Sequence, residues 1–559
     1  MLFIKVNPRL CGKYLSVTKY YCRFESIAAT TTNEVAQIPA YPPIEDVTFA
    51  AKWQRNIAKY HEAVKNIKTI EEKTIKINMP RYWGFKCMMI HEDKVVYNNL
   101  PMIQYITRTH VSEELKLPSY YDTLLSEETL NSLVQEIKPS FEDAVAFEMS
   151  SRMRHQEYSQ NHLETNGVLD DLIGDAVSKQ VNRIMLNYLG LQYPHLLSAQ
   201  IDYDPRIEAS WFAGGIDKSH HTIRALKRFK DPQILELPID RIFAYIGNPT
   251  LQLRHELPLK EILPVTDCEN PSLEVPVCKI DPRNYGHYFD RRHLTAIPGF
   301  WPGDRAEFGL MSYHKCGYMH RRFQCGDLTR DDQIDLLKTQ AVKSSWSWLT
   351  SQAFNNGFTT FNEITYPLVN QQIITNGQMW SFAVYQLNTN KVWGRNCDDN
   401  PKRNICWITE PIQLFEKIEN NKLVGVNDDV LKHLIKFYVN VPEERVGVNL
   451  KPYVGETEQR IAHIQEDERR VWLEDTYKRL VSHRPRHKLM PEMYHWEWIY
   501  KFMFKTRPLD KKRTHWDYGL NPFRRKLNEH LPRYIPKALR PGKVIRSQRD
   551  KYAKTYYPE

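Results

Sequence analysis

Four side chains able to ligate a metal, His314, Cys316, His320 and Cys325, fall within the single run HKCGYMHRRFQC. Zinc is held by such groups when closely spaced pairs converge on a tetrahedron. This run has neither a CxxC nor the paired spacing of a finger, and Lys315, Arg321 and Arg322 would repel a cation. It reads as ordinary Cys and His, and Cys397 and Cys406 complete no site by sequence logic. Asp202, Asp204 and Asp217, with the pair His220-His221, have the chemistry for a carboxylate site and an acid or base. Yet the chain contains no Walker phosphate loop, no GxSxG elbow, no HExxH and no kinase signature set. Scattered acids and histidines occur in most chains this long, so the expectation is a protein that is not an enzyme and takes no cofactor.

The C-terminal segment carries a different chemistry. From Lys478 to Glu559 there are 22 Lys and Arg against 7 Asp and Glu, a net of +15. Arg484, Arg486 and Lys488 form one cluster, Lys511, Lys512 and Arg513 a second, and Arg524, Arg525 and Lys526 a third. Aromatic residues, Trp516 and Tyr518 among them, lie between the charges. Cations neutralise phosphates and release counterions, while rings and guanidinium planes stack on unpaired bases. These clusters, with Trp516 and Tyr518, are the candidate RNA-binding residues. A solvated basic face, or an arm docked on an acidic protein, is the plainer alternative, because no RNA-binding module pattern is present.

The chain as a whole has a formal charge of +10, and residues 451–559 hold 26 Lys and Arg against 14 Asp and Glu. That segment is therefore +12, and residues 1–450 sum to −2. A nearly neutral body with a basic arm suits an anionic partner. At 559 residues, 42% hydrophobic and 12% aromatic, most of the chain should fold. No stretch approaches the roughly 18–20 apolar residues that span a bilayer. Nine Cys, an odd number without close pairs, fit a reducing compartment better than a disulfide scaffold. The first 24 residues hold five basic side chains and no acid, and Ala28-Ala29-Thr30-Thr31-Thr32 follows. Such a leader reads as a mitochondrial transit peptide, although Pro8 and Gly12 weaken its helical character.

Periodicity places the elements that must position these groups. Residues 45–77 read as helix, with Asp46 or Thr48 as N-cap, and helices follow near 123–158 and 168–190. The last of these sets Leu169, Leu172, Ile173, Val177, Val181 and Ile184 on one face. From 198 to 320, β-prone runs (AQIDYD, ASWFAGG, RIFAYIG, LEVPVCKI) alternate with turn residues. A helix over 332–355 precedes strands at 370–375 and 379–388 joined by Asn376-Gly377, a hairpin signal. Asn427-Asp428-Asp429 caps a helix to about Val439, and 456–482 reads as one long charged helix. The expected fold is mixed α/β (α+β). Its parts are a transit peptide and linker over 1–38, a mainly helical region over 39–195, a mixed α/β core over 196–450 and a basic extension over 451–559.

The run QQIITNGQMWSFAVYQLNT, then DDNPKRNICW, then VGVNDDVLKHLIKFYVNVP closely resembles the programmed cell death protein nine family of mitochondrial ribosomal proteins. Weaker similarity reaches back through FDRRHL (289–294), IDYDP (201–205) and AYPPIED (40–46), so that the resemblance covers roughly residues 40–445. The family was first numbered thirty in the small subunit and later placed in the large subunit, as a paralogue of large-subunit protein thirty-seven. The resemblance implies a non-catalytic ribosomal constituent in the mitochondrial matrix, whose partners are mitochondrial ribosomal proteins, the paralogue among them, and ribosomal RNA. It transfers no catalytic residue, and it says nothing of the chain beyond about residue 450. Two other readings compete: an RNA-processing enzyme using Asp202, Asp204 and His221, and a free regulatory factor.

Overall fold

The computed structural model describes residues 46–77, 85–93, 99–157, 165–219, 222–224, 238–292, 294–319, 329–359, 362–394, 397–455 and 459–481. The chain divides into two compact units, Met1–Asn66 and Ile67–Glu559. In the first, helix α1 (Phe49–Lys65) starts at Thr48, whose hydroxyl accepts the Ala51 N–H at 3.3 Å. The helical pattern of 45–77 is not continuous. A second helix, α2 (Ile70–Ile77), opens the second unit, where Thr69 and Glu72 form a reciprocal cap.

The second unit is organised around two sheets. Sheet A contains β1 (Phe85–His91), β4 (Ile207–Ile216), β5 (Ile239–Gly247), β7 (Phe289–Arg292) and β8 (Ile297–Pro298), in the order β7-β1-β5-β4-β8. Sheet B has the order β2-β12-β11-β10-β9-β6-β3. Its strands are β2 (Thr109–Val111), β3 (Gln200–Tyr203), β6 (Leu251–His255), β9 (Phe308–Lys315), β10 (Leu368–Thr375), β11 (Met379–Leu387) and β12 (Asn404–Ile408), with β13 (Ile412–Gln413) on β11. The hairpin expected at Asn376-Gly377 joins β10 to β11, whose eight-residue register runs from Leu368↔Leu387 to Thr375↔Trp380. By contrast LEVPVCKI forms no strand. Pro276 lies in its middle and cannot donate to a ladder, and Val277 and Ile280 face outward.

Strands β9 and β10 are parallel neighbours, so their connection must cross over, and it does so through α7 (Arg330–Asn355). Thr329 and Asp332 form the capping box that starts this helix. Its apolar positions suggest one buried face, but Leu336, Leu337 and every residue from Thr339 to Phe354 are buried. The reason is that both sheets cover it: α7 packs on β10, β11 and β12 and also on β4 and β8. Small hydroxyl residues make this possible. Ser344 and Ser351 return their hydroxyls to the Gln340 and Trp348 carbonyls, while Ser345 donates to Gln372 on β10 at 2.9 Å. One core cluster, with Trp346, Trp348 and α3 (Leu100–Thr107), fills this layer.

The outer face of sheet B carries a second core against α4 (Glu127–Glu157), α5 (Thr165–Leu189) and α8 (Asp428–Val439). The short helix α6 (Pro194–Ser198) leads from α5 into β3. Adjacent residues of β10 therefore serve different layers. Gln372 faces α7, whereas Gln371 accepts the Tyr121 hydroxyl and donates to the Phe437 carbonyl at 3.1 Å. On α5, Ile173, Val177 and Val181 are buried as the pattern predicts, but Leu172 turns outward. Asn427 caps α8 by accepting the Asp429 N–H at 2.9 Å. A small two-stranded sheet, β14 (Lys417–Glu419) with β15 (Lys422–Val424), turns through Asn420 and Asn421, both left-handed at φ 50° and 59°. Among the described residues the charged helix, α9, covers Asp467–Val481, and it does not begin near 456 because Ile461–His463 forms a separate 3-10 turn.

Candidate functional site

The nine basic candidates from Arg484 to Lys526, with Trp516 and Tyr518, lie outside the described residues. So do His220, His221, His320 and Cys325. The remaining candidates are placed, and the fold uses each locally. Asp202 on β3 accepts from Arg254 of β6 at 3.0 Å and from Gln252 at 2.8 Å. Asp204, just beyond, pairs with Lys179 of α5 at 3.3 Å. The Asp217 amide donates to the Lys279 carbonyl at 2.8 Å. The Asp202 and Asp204 carboxylates and the Asp217 backbone therefore form ties between neighbouring segments.

The metal-capable residues behave likewise. Cys316 follows β9 into the interior, where burial and then Asp170 and Asp171 push its thiol well above the ordinary value. Burial pushes the Cys406 thiol up to about 12. Cys397 accepts from the Arg108 guanidinium at 3.0 Å, and Arg108 also pairs with Asp398. No group of three His, Cys, Asp or Glu side chains among the described residues is arranged to hold a metal ion. No described helix is long and apolar enough to cross a membrane.

One constellation escapes the sequence because its members lie far apart in it. His314 on β9 pairs through Nδ1 with the Glu92 carboxylate, and its Nε2 lies 2.9 Å from the Ser312 hydroxyl. The second Glu92 oxygen accepts the Asn248 N–H at 2.9 Å. Lys343 of α7 donates from Nζ to the His91 and Glu92 carbonyls at 2.8 and 2.7 Å. Burial works to raise the Glu92 carboxyl, but His314, Lys343 and the Asn248 amide outweigh it and hold the group below its ordinary value. Burial pushes Lys343 down to about 7, against the opposing pull of Glu92 and Asp93.

Serine, imidazole and carboxylate in this order form the hydrogen-bond relay that activates a nucleophile. Its surroundings argue for another role. A cavity of about 320 Å³ reaches His91, Glu92, Asp93, Asp171 and Lys315, which is the carboxylate end of the relay. Ser312 is 1% exposed and does not line that cavity. A substrate in the cavity would meet Glu92 and not the serine. What the relay does instead is connect layers: β9 belongs to sheet B, Glu92 follows β1 of sheet A, and Lys343 comes from the helix between them. Buried charges are tolerated when paired and hydrogen-bonded in this way. The only sequence signal for it is Lys343, a charged residue within an otherwise small and apolar stretch of helix.

The described body is thus a layered scaffold held by buried polar ties. The family model described as Mitochondrial 28S ribosomal protein S30 (PDCD9) matches residues 9–442 of the 559, and the chain belongs to that family.

Proposed function

We propose that this protein is a structural constituent of the mitochondrial ribosome, in its large subunit, and works through contacts with ribosomal proteins and ribosomal RNA. The family match over residues 9–442 is the observation that carries the reading, and it points to a mitochondrial, non-enzymatic ribosomal role. The large-subunit placement and the pairing with the paralogous protein thirty-seven rest on the resemblance in residues 370–440. The family's name carries a small-subunit number, and the experiment below distinguishes the two subunits. Within this reading the folded body meets protein neighbours, and the basic clusters at 484–488, 511–513 and 524–526 meet ribosomal RNA. Support for the division comes from charge, since 22 cations against 7 acids are concentrated from Lys478 onward.

The test is to purify the tagged full-length chain from mitochondria under mild salt and identify the RNA that accompanies it. Large-subunit ribosomal RNA, enriched over small-subunit RNA and joined by the paralogue, supports the assignment. Enrichment of small-subunit RNA would move the protein to the other particle, and absence of both RNAs would remove the ribosomal role.

A further inference from the structure

The family match ends at residue 442, yet residues 451–455 and 459–481 beyond it are built against α2 at the beginning of the second unit. The Ile70 N–H donates to the Gln459 carbonyl at 3.1 Å, and the Ile461 N–H donates to the Glu71 carboxylate at 3.1 Å. The other Glu71 oxygen accepts the Trp301 indole N–H at 3.0 Å. Lys73 donates from Nζ to the Val454 carbonyl at 2.7 Å, and Lys451 pairs with the buried Glu307. Over these bonds the Tyr477 ring of α9 rests on Trp301, with 4.4 Å between ring centroids.

Neither side of this contact is self-sufficient. Glu71 and Lys73 are each 1% exposed, and their carboxylate and ammonium need partners where water is excluded. Residues 454 and 461 supply two of those partners. The segment in turn has an apolar cluster of its own consisting of Ile461, Ile464 and Leu473, with Trp472 packed beside it. So small a core cannot hold an independent unit. A 15-residue helix such as α9 is marginal in water without packing.

We propose that residues 451–455 and 459–481 form a strap that opens and closes over α2 as one cooperative unit, distinct from the two sheets. The N-terminal edge of the second unit and α9 are then ordered together or not at all. Local cooperative units of this kind open at lower free energy than the core.

Hydrogen exchange on the full-length protein tests this directly. Amides of 70–77 and 459–481 should exchange through one shared opening, faster than those of β10 and β11. Tyr477→Ala should accelerate both segments by the same factor, at least about tenfold for loss of a packed aromatic ring, and leave β10 and β11 unchanged. Lys73→Met should reproduce the joint acceleration from the α2 side. If Tyr477→Ala accelerates α9 while α2 keeps its protection, the two are not one unit. An equal acceleration of β10 and β11 would overturn the proposal from the other side, by showing that the strap opens only when the sheets do.

Discussion

Replacement of Lys343 by methionine should flatten the stability of this protein between pH 7 and pH 9. In the unfolded chain a lysine holds its proton up to its ordinary 10.5, whereas in the fold Lys343 releases it near 7. Between those values the unfolded state binds more protons, so stability rises with pH. Below pH 7 both states are protonated and the contribution levels off. For one group with these two values, the gain from pH 7 to pH 9 is about 2 kcal/mol. Methionine also removes the donor to the His91 and Glu92 carbonyls, at a cost of about 1–3 kcal/mol per unsatisfied group. That cost does not vary with pH, so slopes are compared, not absolute stabilities. Urea unfolding followed by tryptophan fluorescence is suitable, because Trp346 and Trp348 are buried in the same helix. Wild type should gain about 2 kcal/mol relative to Lys343→Met over the two pH units. Parallel curves for the two proteins would refute the claim that the buried lysine is deprotonated near neutrality.

Other expectations follow from single contacts. A Cβ at Gly309 would overlap the Trp348 ring and lie 2.7 Å from the Gln352 amide nitrogen, so Gly309→Ala should cost about 1–3 kcal/mol by thermal melting. Asn427→Ala removes the α8 cap and should cost about 1 kcal/mol, while Asn427→Asp should be nearly neutral in the same melt. Ser312→Ala breaks one bond of the relay and should cost about 1 kcal/mol without changing ribosome association, read by melting and co-sedimentation. Replacing Lys511, Lys512 and Arg513 with glutamine should lower ribosomal RNA affinity. It should also make the slope of log affinity against log salt shallower by roughly 2–3, measured by filter binding.

Much of the fold could be read from local pattern. The apolar period of α4 and α5, the capping residues Thr48 and Asn427, and the Asn376-Gly377 hairpin each act within a few residues, and each formed as expected. The break before α2 was missed, because residues 45–77 read as one continuous helix, although Thr69-Ile70-Glu71-Glu72 has the capping-box pattern. The complete burial of α7 was not legible, because one helix cannot reveal that a second sheet covers its outer side. In such a helix Ser and Thr resemble a solvated face until their backbone-directed hydroxyls are seen. The relay was hidden for a related reason: residues 92, 248, 312, 314 and 343 converge only after both sheets have formed. His314 did attract notice, but as a neighbour of Cys316 in sequence, whereas its partners are Glu92 and Ser312.

The measurement closest to the central claim is sucrose-gradient sedimentation of mitochondrial lysate, probed for this chain before and after ribonuclease treatment. The chain should migrate with the large ribosomal subunit and lose that peak once the RNA is digested. Migration as a light species indifferent to ribonuclease would contradict that claim.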